Sequence, residues 1–503
     1  MPIEREVRLR MPAQRPAAAL WRLLDRKPQR RRVIATYLDT EKNLLERSRA
    51  ALRLRRFGRR WLQCLKAESP DGSAFLGRHE WEQPARGGRL RPAAFALDEI
   101  RTTTGIDLAS IHNRLRPVFT TRFLRQQVEQ LTPSGQRIEV ALDQGCIEAG
   151  NRVAPLREIE FELIEGDLVS MLEQVRALIP TLRLELEVRS KAERGYRLAA
   201  GRRTEPVKAQ RPRLNAEDDR GAALGSIIGG CVMQVAINVQ GVAHLRDPEY
   251  LHQLRVGLRR LRSGIRAFRS WASAESTRTL VDGLRAQLPA LGAARDWDVV
   301  TEMLERRIAG AADAGIDVVP ILLWARRRRA IARRMARSVA QSSAFQQMLL
   351  DALIWAERAR ARPMPPRLGP EGPRRIGDFA KQKVAKLARK AEQLGDRCTW
   401  SDAAARHAVR IRLKRLRYLC EFFAGCFKRK RVRRYLDRLE ALQDVLGELN
   451  DITTARGLLQ TLNAPDRGMQ VAFIRGWLDA REEALILALD PAWRAFRRQT
   501  LLD

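Results

Sequence analysis

Two carboxylates and a guanidinium alternate with apolar side chains in Ile3-Glu4-Arg5-Glu6-Val7-Arg8-Leu9. On a β-strand, whose side chains point to opposite faces in turn, Glu4, Glu6 and Arg8 share one face and Ile3, Val7 and Leu9 the other. Neighbouring carboxylates repel unless a cation lies between them, and hard oxygen donors of this kind suit Mg2+ or Mn2+. The pattern returns in Glu158-Ile159-Glu160-Phe161-Glu162-Leu163. A complementary one occupies Ala51-Leu52-Arg53-Leu54-Arg55, where leucine alternates with arginine. Arginine suits phosphate because its planar fork donates two parallel hydrogen bonds to one group. A single charged strand face is ordinarily a solvated one, whereas strict alternation of acid and arginine over several strands calls for a different arrangement.

The surrounding segments supply the strands. Pro16 to Arg26 reads as a short helix, Val33 to Leu38 as a strand, and residues 51–55 and 61–66 as a hairpin turned at Gly58. Arg78, Glu80 and Glu82 share the parity of the next strand. A second antiparallel pair, Thr120 to Gln130 and Arg137 to Leu142, surrounds Pro133-Ser134-Gly135, with Arg122 on the first strand and Asp143 after the second. Asp167 to Leu178 reads as a helix, and Glu185 to Lys191 as a last strand. A closed antiparallel sheet accounts for both faces at once, with a charged lumen and an apolar outside covered by helices. Carboxylates would hold metal and arginines phosphate in such a lumen.

Six blocks carry a family resemblance: Glu4-x-Glu6-x-Arg8, Tyr37-Leu38-Asp39-Thr40, the 51–55 strand, Leu65-Lys66, the 158–162 strand and Ser190-Lys191-Ala192-Glu193-Arg194-Gly195-Tyr196. Together, and in this order, they resemble the CYTH domains of the triphosphate tunnel metalloenzymes. The resemblance implies an eight-stranded antiparallel tunnel that hydrolyses triphosphates with Mg2+ or Mn2+. It matches Glu4, Glu6, Glu158 and Glu160 to metal-holding carboxylates, and Arg53, Arg55, Lys66, Arg78, Arg122 and Lys191 to phosphate-holding bases. Glu4, Glu6, Arg8 and Lys66 are the catalytic positions it implies. The family's opening motif usually ends in lysine, and here it ends in Arg8. Arginine keeps the charge for a phosphate contact but does not give up a proton, so a role as base is in doubt.

Residues 202–220, rich in charge and proline, read as a linker, so the expected organisation is a tunnel domain at 1–200, a linker at 201–220 and a helical domain at 221–503. Beyond it, Ala, Leu, Arg and Glu recur at helical spacing. An internal repeat organises this half: His252, Arg255, Arg259, Arg260 and Arg262 return 155 residues later as His407, Arg410, Lys414, Arg415 and Arg417. The same displacement carries Leu291-Gly292 to Leu446-Gly447 and Asp296 to Asp451. On a helix, offsets 0, 3, 7 and 10 fall within an arc of about 80°, so a histidine and three bases line one face, twice. A face so dense in positive charge repels itself and gains most from a polyanion laid along it.

The duplicated His252-Gln253-Leu254-Arg255 and Leu258-Arg259-Arg260-Leu261-Arg262 resemble the CHAD domain. That resemblance implies two pseudo-symmetric four-helix bundles with a basic groove for inorganic polyphosphate, joined by Pro363 to Pro373. The expected fold class is therefore α+β in two domains, a β tunnel followed by an all-α domain. The expected function is metal-dependent hydrolysis of inorganic triphosphate with polyphosphate binding. The rival is a non-catalytic polyphosphate receptor whose tunnel holds a chain end, and related tunnels also act on nucleotides or thiamine triphosphate.

The whole chain's charge agrees with an anionic partner. Its 94 basic residues against 59 acidic give +35, with 37 against 26 up to residue 200 and 57 against 33 after it. Nucleic acid and anionic membrane fit charge alone equally well. No zinc-finger, homeodomain or RNP signature is present and aromatic residues are sparse near the basic faces, which argues against nucleic acid. Residues 222–243 carry no charge and are long enough to span a bilayer, but contain Ser226, Gln234, Asn238 and Gln240, and the repeat aligns them with a heavily charged segment. No membrane partner is expected. Six cysteines without CxxC pairs fit free thiols in a reducing cytoplasm, and the early residues lack the apolar core of a signal peptide. Association with polyphosphate granules would follow from the second domain.

Overall fold

The computed structural model describes residues 3–68, 77–132, 135–245, 247–313, 315–361, 375–462, 467–499 and 501. They form two compact units. The first comprises residues 1–206 together with 342–361, the second residues 207–341 together with 362–503.

In the first unit, β1 (Ile3–Arg10), β2 (Gln29–Thr40), β3 (Ala50–Phe57), β4 (Arg60–Glu68), β5 (Gly77–Pro84), β6 (Leu115–Leu131), β7 (Arg137–Ala149) and β8 (Arg152–Glu165) close an antiparallel barrel. The ring runs β1-β5-β4-β3-β2-β6-β7-β8 and back to β1. The β3–β4 turn needs a left-handed residue, which Gly58 provides at φ 57°. Strand β1 shares one edge between two partners: Ile3 to Arg5 pair with β5, and Leu9 and Arg10 with the two-residue β9 (Glu185–Leu186).

Helices cover the apolar outside, as the alternation requires. Trp81, Leu52 and Leu65 lie buried under α2 (Leu44–Arg47), α3 (Leu97–Thr104) and α4 (Leu108–Ile111), and α5 (Leu168–Leu182) packs on β8 with Met171, Leu172, Val175 and Ile179 fully buried. Helix α1 (Ala17–Leu23) donates the indole N–H of Trp21 to Gln126 at 3.0 Å.

The segment expected as a strand through Lys191 ends at Leu186. Ser190 instead caps a helix, its hydroxyl accepting from the Glu193 N–H at 3.0 Å, and α6 (Lys191–Ala199) begins there. It closes one end of the lumen: Tyr37 stacks on Phe119 at 4.3 Å, and Phe119 meets Tyr196 edge-on at 5.2 Å. Gly195 is required at that contact, because a Cβ there would lie 2.0 Å from the Phe119 ring.

The second unit is two bundles of four. Helices α7 (Arg220–His244), α8 (Pro248–Phe268), α9 (Ala274–Asp313) and α10 (Val319–Ala340) make the first. After α11 (Ser343–Ala361) come α12 (Ile376–Asp396), α13 (Ala403–Phe422), α14 (Arg429–Leu459) and α15 (Gly468–Arg497), which make the second. Across them α8 packs on α13 and α9 on α14, so the two basic helices of the repeat meet. Helix α7, long and apolar enough to cross a membrane, is the buried helix of the first bundle.

Two expected boundaries change. The anticipated linker is anchored in places: Val207 and Asn238 exchange two hydrogen bonds at 3.1 and 2.9 Å, and Gly377 donates to the Ala216 carbonyl at 2.9 Å. Helix α11, expected within the helical domain, belongs to the first unit. There it packs on α5, where Arg176 donates to Asp351 at 3.2 Å, and accepts the β9 amide of Leu186 on Gln346 at 3.0 Å. The connection expected at Pro363 to Pro373, and Pro133 and Ser134 of the β6–β7 turn, lie outside the described residues.

Candidate active site

Strand parity directs one charged row per strand into the barrel, and the closed ring sets β3 and β4 diametrically across from β8 and β7. On the β7–β8 wall, Asp143, Glu158 and Glu160 each offer an oxygen within 4.8 Å of the others. The first residue of α6 is aimed at them. Lys191, 6% exposed, brings its ammonium to 2.8 Å from Asp143 and 2.6 Å from Glu160, and also pairs with Glu158. Arg125 on β6 clamps Asp143 through two hydrogen bonds of 2.8 and 2.7 Å and reaches Glu160 at 2.5 Å, while Arg194 pairs with Glu158. Burial opposes ionisation of Glu160, but Lys191 and Arg125 outweigh it and hold its carboxyl well below the usual range.

The opposite wall carries the cations. Lys66 on β4 donates to both oxygens of Glu4 at 2.6 Å and lies 3.2 Å from Glu80, so despite burial its ammonium is held above the ordinary lysine value. Arg53 lies 3.7 Å from Glu80, and Arg55 pairs with Glu82. Arg8 is buried 3.7 Å from Glu6, and its neighbouring carboxylates outweigh burial to raise its pKa. Arg78 is opposite Glu4 across β1–β5, where burial and then Arg8 lower its pKa.

Arg122 is not part of this lumen. It lies on the outer face of β6, half exposed and 2.8 Å from Glu148, because its parity is opposite to that of Phe123 and Arg125. The inward arginine is Arg125. It was legible in the hairpin centred on residue 134, which sets Arg125 opposite Asp143. The four carboxylates expected to share a metal are also divided: among the described residues, Glu158 and Glu160 gather with Asp143, whereas Glu4 is held by Lys66 and Glu6 by Arg8. Glu80, Glu139 and Glu162 complete the acidic lining.

In the second unit, the facing α8 and α13 bring Arg255, Arg259, Arg410 and Lys414 into one centre. Burial, then Arg410, Arg259 and Arg255, depress the Lys414 ammonium to about 6. Burial and Arg259 likewise bring Arg255 down to about 10. His407 and Arg410 both meet the Asn450 side-chain oxygen, at 2.9 and 3.1 Å, while burial and then Arg295 lower His252. The remaining repeat residues divide. Arg262 and Arg415 continue the basic face, whereas Arg260 is buried against Glu421 and the Phe422 ring, and Arg417 is paired with Glu421 at 2.8 Å and Glu440 at 3.0 Å.

Residues 2–196 match the family model of the CYTH domain and residues 226–460 that of the CHAD domain. The chain is a CYTH domain followed by a CHAD domain. An inorganic triphosphatase of Haemophilus influenzae is 30% identical over 176 residues, covering 33% of this chain and 45% of the relative. An uncharacterized protein of Mycobacterium tuberculosis is 28% identical over 265 residues, 49% of each chain. The chain thus spans about half the length of the curated relatives it matches. The crystal structure of the CHAD domain from the plant Ricinus communis superposes with a TM-score of 0.51 at 30% identity, covering 59% of this chain and 99% of that one.

The CYTH lumen has a donor set that fits a divalent cation. Three clustered carboxylates suit a divalent cation, and two further ones are held above the usual carboxylate range, chiefly by burial. Burial, then repulsion from Glu6 and Glu80, raises Glu4 to about 7 against the opposing pull of Lys66, and burial followed by Glu4 raises Glu162 to about 8. The other acidic group, Cys64, Glu80 and Glu82, suits an ion poorly. Burial pushes the Cys64 thiol up to about 12, and it donates to Glu80 at 3.0 Å rather than ionising.

A pH dependence follows from these shifts. In the folded domain Glu4 and Glu162 keep protons that the unfolded chain releases near 4.5, so their contribution to stability is complete at low pH and is lost as pH rises to about 8. A divalent cation that draws on Glu4 and Glu162 as well as on the trio would compete with those protons. Mg2+ or Mn2+ should therefore raise the melting temperature of the tunnel domain several degrees more at pH 8 than at pH 6. Equal metal-induced shifts at both pH values in full-length protein would mean that the ion draws on neither Glu4 nor Glu162.

Proposed function

We propose that the CYTH domain hydrolyses inorganic triphosphate with Mg2+ or Mn2+ and that the CHAD domain binds inorganic polyphosphate. One observation carries the first part: a closed lumen in which Arg53, Arg55 and Lys66 stand across from Asp143, Glu158 and Glu160. The triphosphatase named among the relatives supports it. Arg53, Arg55 and Lys66 are each already paired with a carboxylate, so this wall is oriented before substrate arrives. A triphosphate, with several charged oxygens per molecule, competes for these partners, taking Arg55 from Glu82 and Lys66 and Arg53 from Glu80.

A divalent ion at Asp143, Glu158 and Glu160 would withdraw charge from the phosphoryl oxygens. Lys191 and Arg125 hold those carboxylates ionised and aligned. Arg8 and Lys66, both held above their ordinary pKa values by neighbouring carboxylates, bind phosphate oxygens as cations and do not take a proton from water. Attack by water in line with the terminal P–O bond would then give phosphate and pyrophosphate, with positioning and electrostatics supplying most of the rate.

The test is metal-dependent phosphate release by full-length protein over inorganic triphosphate, nucleoside triphosphates and thiamine triphosphate. Inorganic triphosphate should be turned over fastest. The double variant Arg53→Ala, Arg55→Ala should raise KM at least tenfold and lower kcat where those contacts tighten in the transition state. Unchanged kinetics would rule out phosphate binding by this wall, and absence of turnover on every substrate would favour a receptor that holds a chain end.

A further inference from the structure

The two halves of the CHAD repeat are equivalent in fold but not in charge. Shifting each residue of the second copy back by 155 places Arg266 where Glu421 stands, Arg285 where Glu440 stands, Pro289 where Asp444 stands and Arg295 where Asn450 stands. Each of these four differences makes the first copy more basic or the second more acidic. The ion pairs follow the same rule. Glu421 pairs with Arg260 and Arg417, and Glu440 binds Arg417 at 3.0 Å. Their counterparts face like charge: Arg266 is repelled by Arg415 and Arg262, and Arg262 by Arg285.

Among the described residues no carboxylate pairs with Arg262, Arg266 or Arg415, and Arg285 has only its helical neighbour Asp282 at 3.1 Å. Burial and mutual repulsion lower the first three. Such a cluster is tolerated in a folded protein at a cost, and an anion laid across it removes that cost. The pseudo-equivalent end needs no such anion, since Glu421 and Glu440 already pair with its Arg260 and Arg417.

We infer that the polyanion path over the CHAD domain is one-sided: it leaves the shared centre at Arg255, Arg259, Arg410 and Lys414 over a phosphate-binding extension made by Arg262, Arg266, Arg285 and Arg415, and the pseudo-equivalent end is closed by Glu421, Glu440 and Asp444. This rests on polyphosphate binding by the domain and adds where along the groove the chain lies. The approximate twofold of the fold would otherwise lead one to expect a chain centred on the axis and gripped alike at both ends. Here a chain is held off centre, so the two copies contribute unequally.

Full-length protein is titrated with polyphosphate of one defined long length at fixed salt, without metal, with Arg266→Gln, Arg417→Gln and Glu440→Arg compared to wild type and each variant's melting curve recorded. Arg266→Gln is expected to weaken binding by about tenfold, the loss of one charge-assisted contact, and Arg417→Gln to change it less than twofold. Glu440→Arg, at a half-exposed site that leaves the buried Arg260–Glu421 pair intact, should tighten binding by opening the closed end. Equal losses in Arg266→Gln and Arg417→Gln, or no gain in Glu440→Arg, would overturn the one-sided path while leaving polyphosphate binding intact. No binding by wild type, or equal displacement of polyphosphate by duplex DNA, would instead remove the underlying reading and this inference with it.

Discussion

Glu160→Gln is expected to lower triphosphate turnover by a factor of roughly 10² to 10³, the usual cost of losing one preorganised electrostatic group. Glu160 is singled out by its position. Arg125, at 2.5 Å, and Lys191, at 2.6 Å, both reach it, it belongs to the clustered trio, and unlike Asp143, which the same two cations hold, its side chain keeps 15% exposure to the lumen. Gln keeps the shape and one acceptor oxygen but removes the charge that balances those cations and would hold a divalent ion. The barrel should survive, since Asp143 and Glu158 still face Lys191 and Arg125, and a circular dichroism spectrum like that of wild type would show it. Full activity with saturating Mg2+ would take Glu160 out of the site.

Lys191→Ala should have the largest effect on stability. Its ammonium lies among three carboxylates, two of which are 0% exposed, so truncation leaves negative charge facing negative charge in a dry interior. Breaking a buried ion pair from one side costs roughly 3–5 kcal/mol, which for a domain of this size lowers the melting temperature by roughly 10 °C. The trio would then be open to another cation. Mn2+ should restore a large part of the loss in Lys191→Ala and much less in the double variant Lys191→Ala, Glu160→Gln. Metal rescue of neither protein would mean that the trio is an ion-pair network and not a cation site.

Much of this lumen was legible because a strand's period of two is unforgiving: Glu4, Glu6 and Arg8 cannot share a face with Val7 and Leu9. Arg122 was misplaced for the same reason, since one step of parity carries a side chain from lumen to solvent, and the hairpin register that points to Arg125 had to be counted through the turn. The helical start at Lys191 also had a signal, a serine followed three residues later by glutamate. The division of the metal carboxylates was not legible. It depends on which cation reaches which acid across the barrel, and Lys66 and Glu4 are separated by 62 residues. Nor could α11 be told from its neighbours, because an apolar helix reads alike whichever core receives it.

That helix also dictates an order of events during synthesis. The outer wall of the tunnel at α5 and β9 is finished by residues that leave the ribosome only after all of α7 to α10. Until then Arg176 has no Asp351, the Leu186 amide has no Gln346, and α5 lacks the helix that packs on it. The barrel strands can pair early, but this unit reaches its final form only when the first bundle has been made. A fragment ending at residue 200 is therefore an unfinished form of the first unit rather than a complete domain, and a fragment beginning at residue 207 carries an unhoused apolar helix prone to self-association.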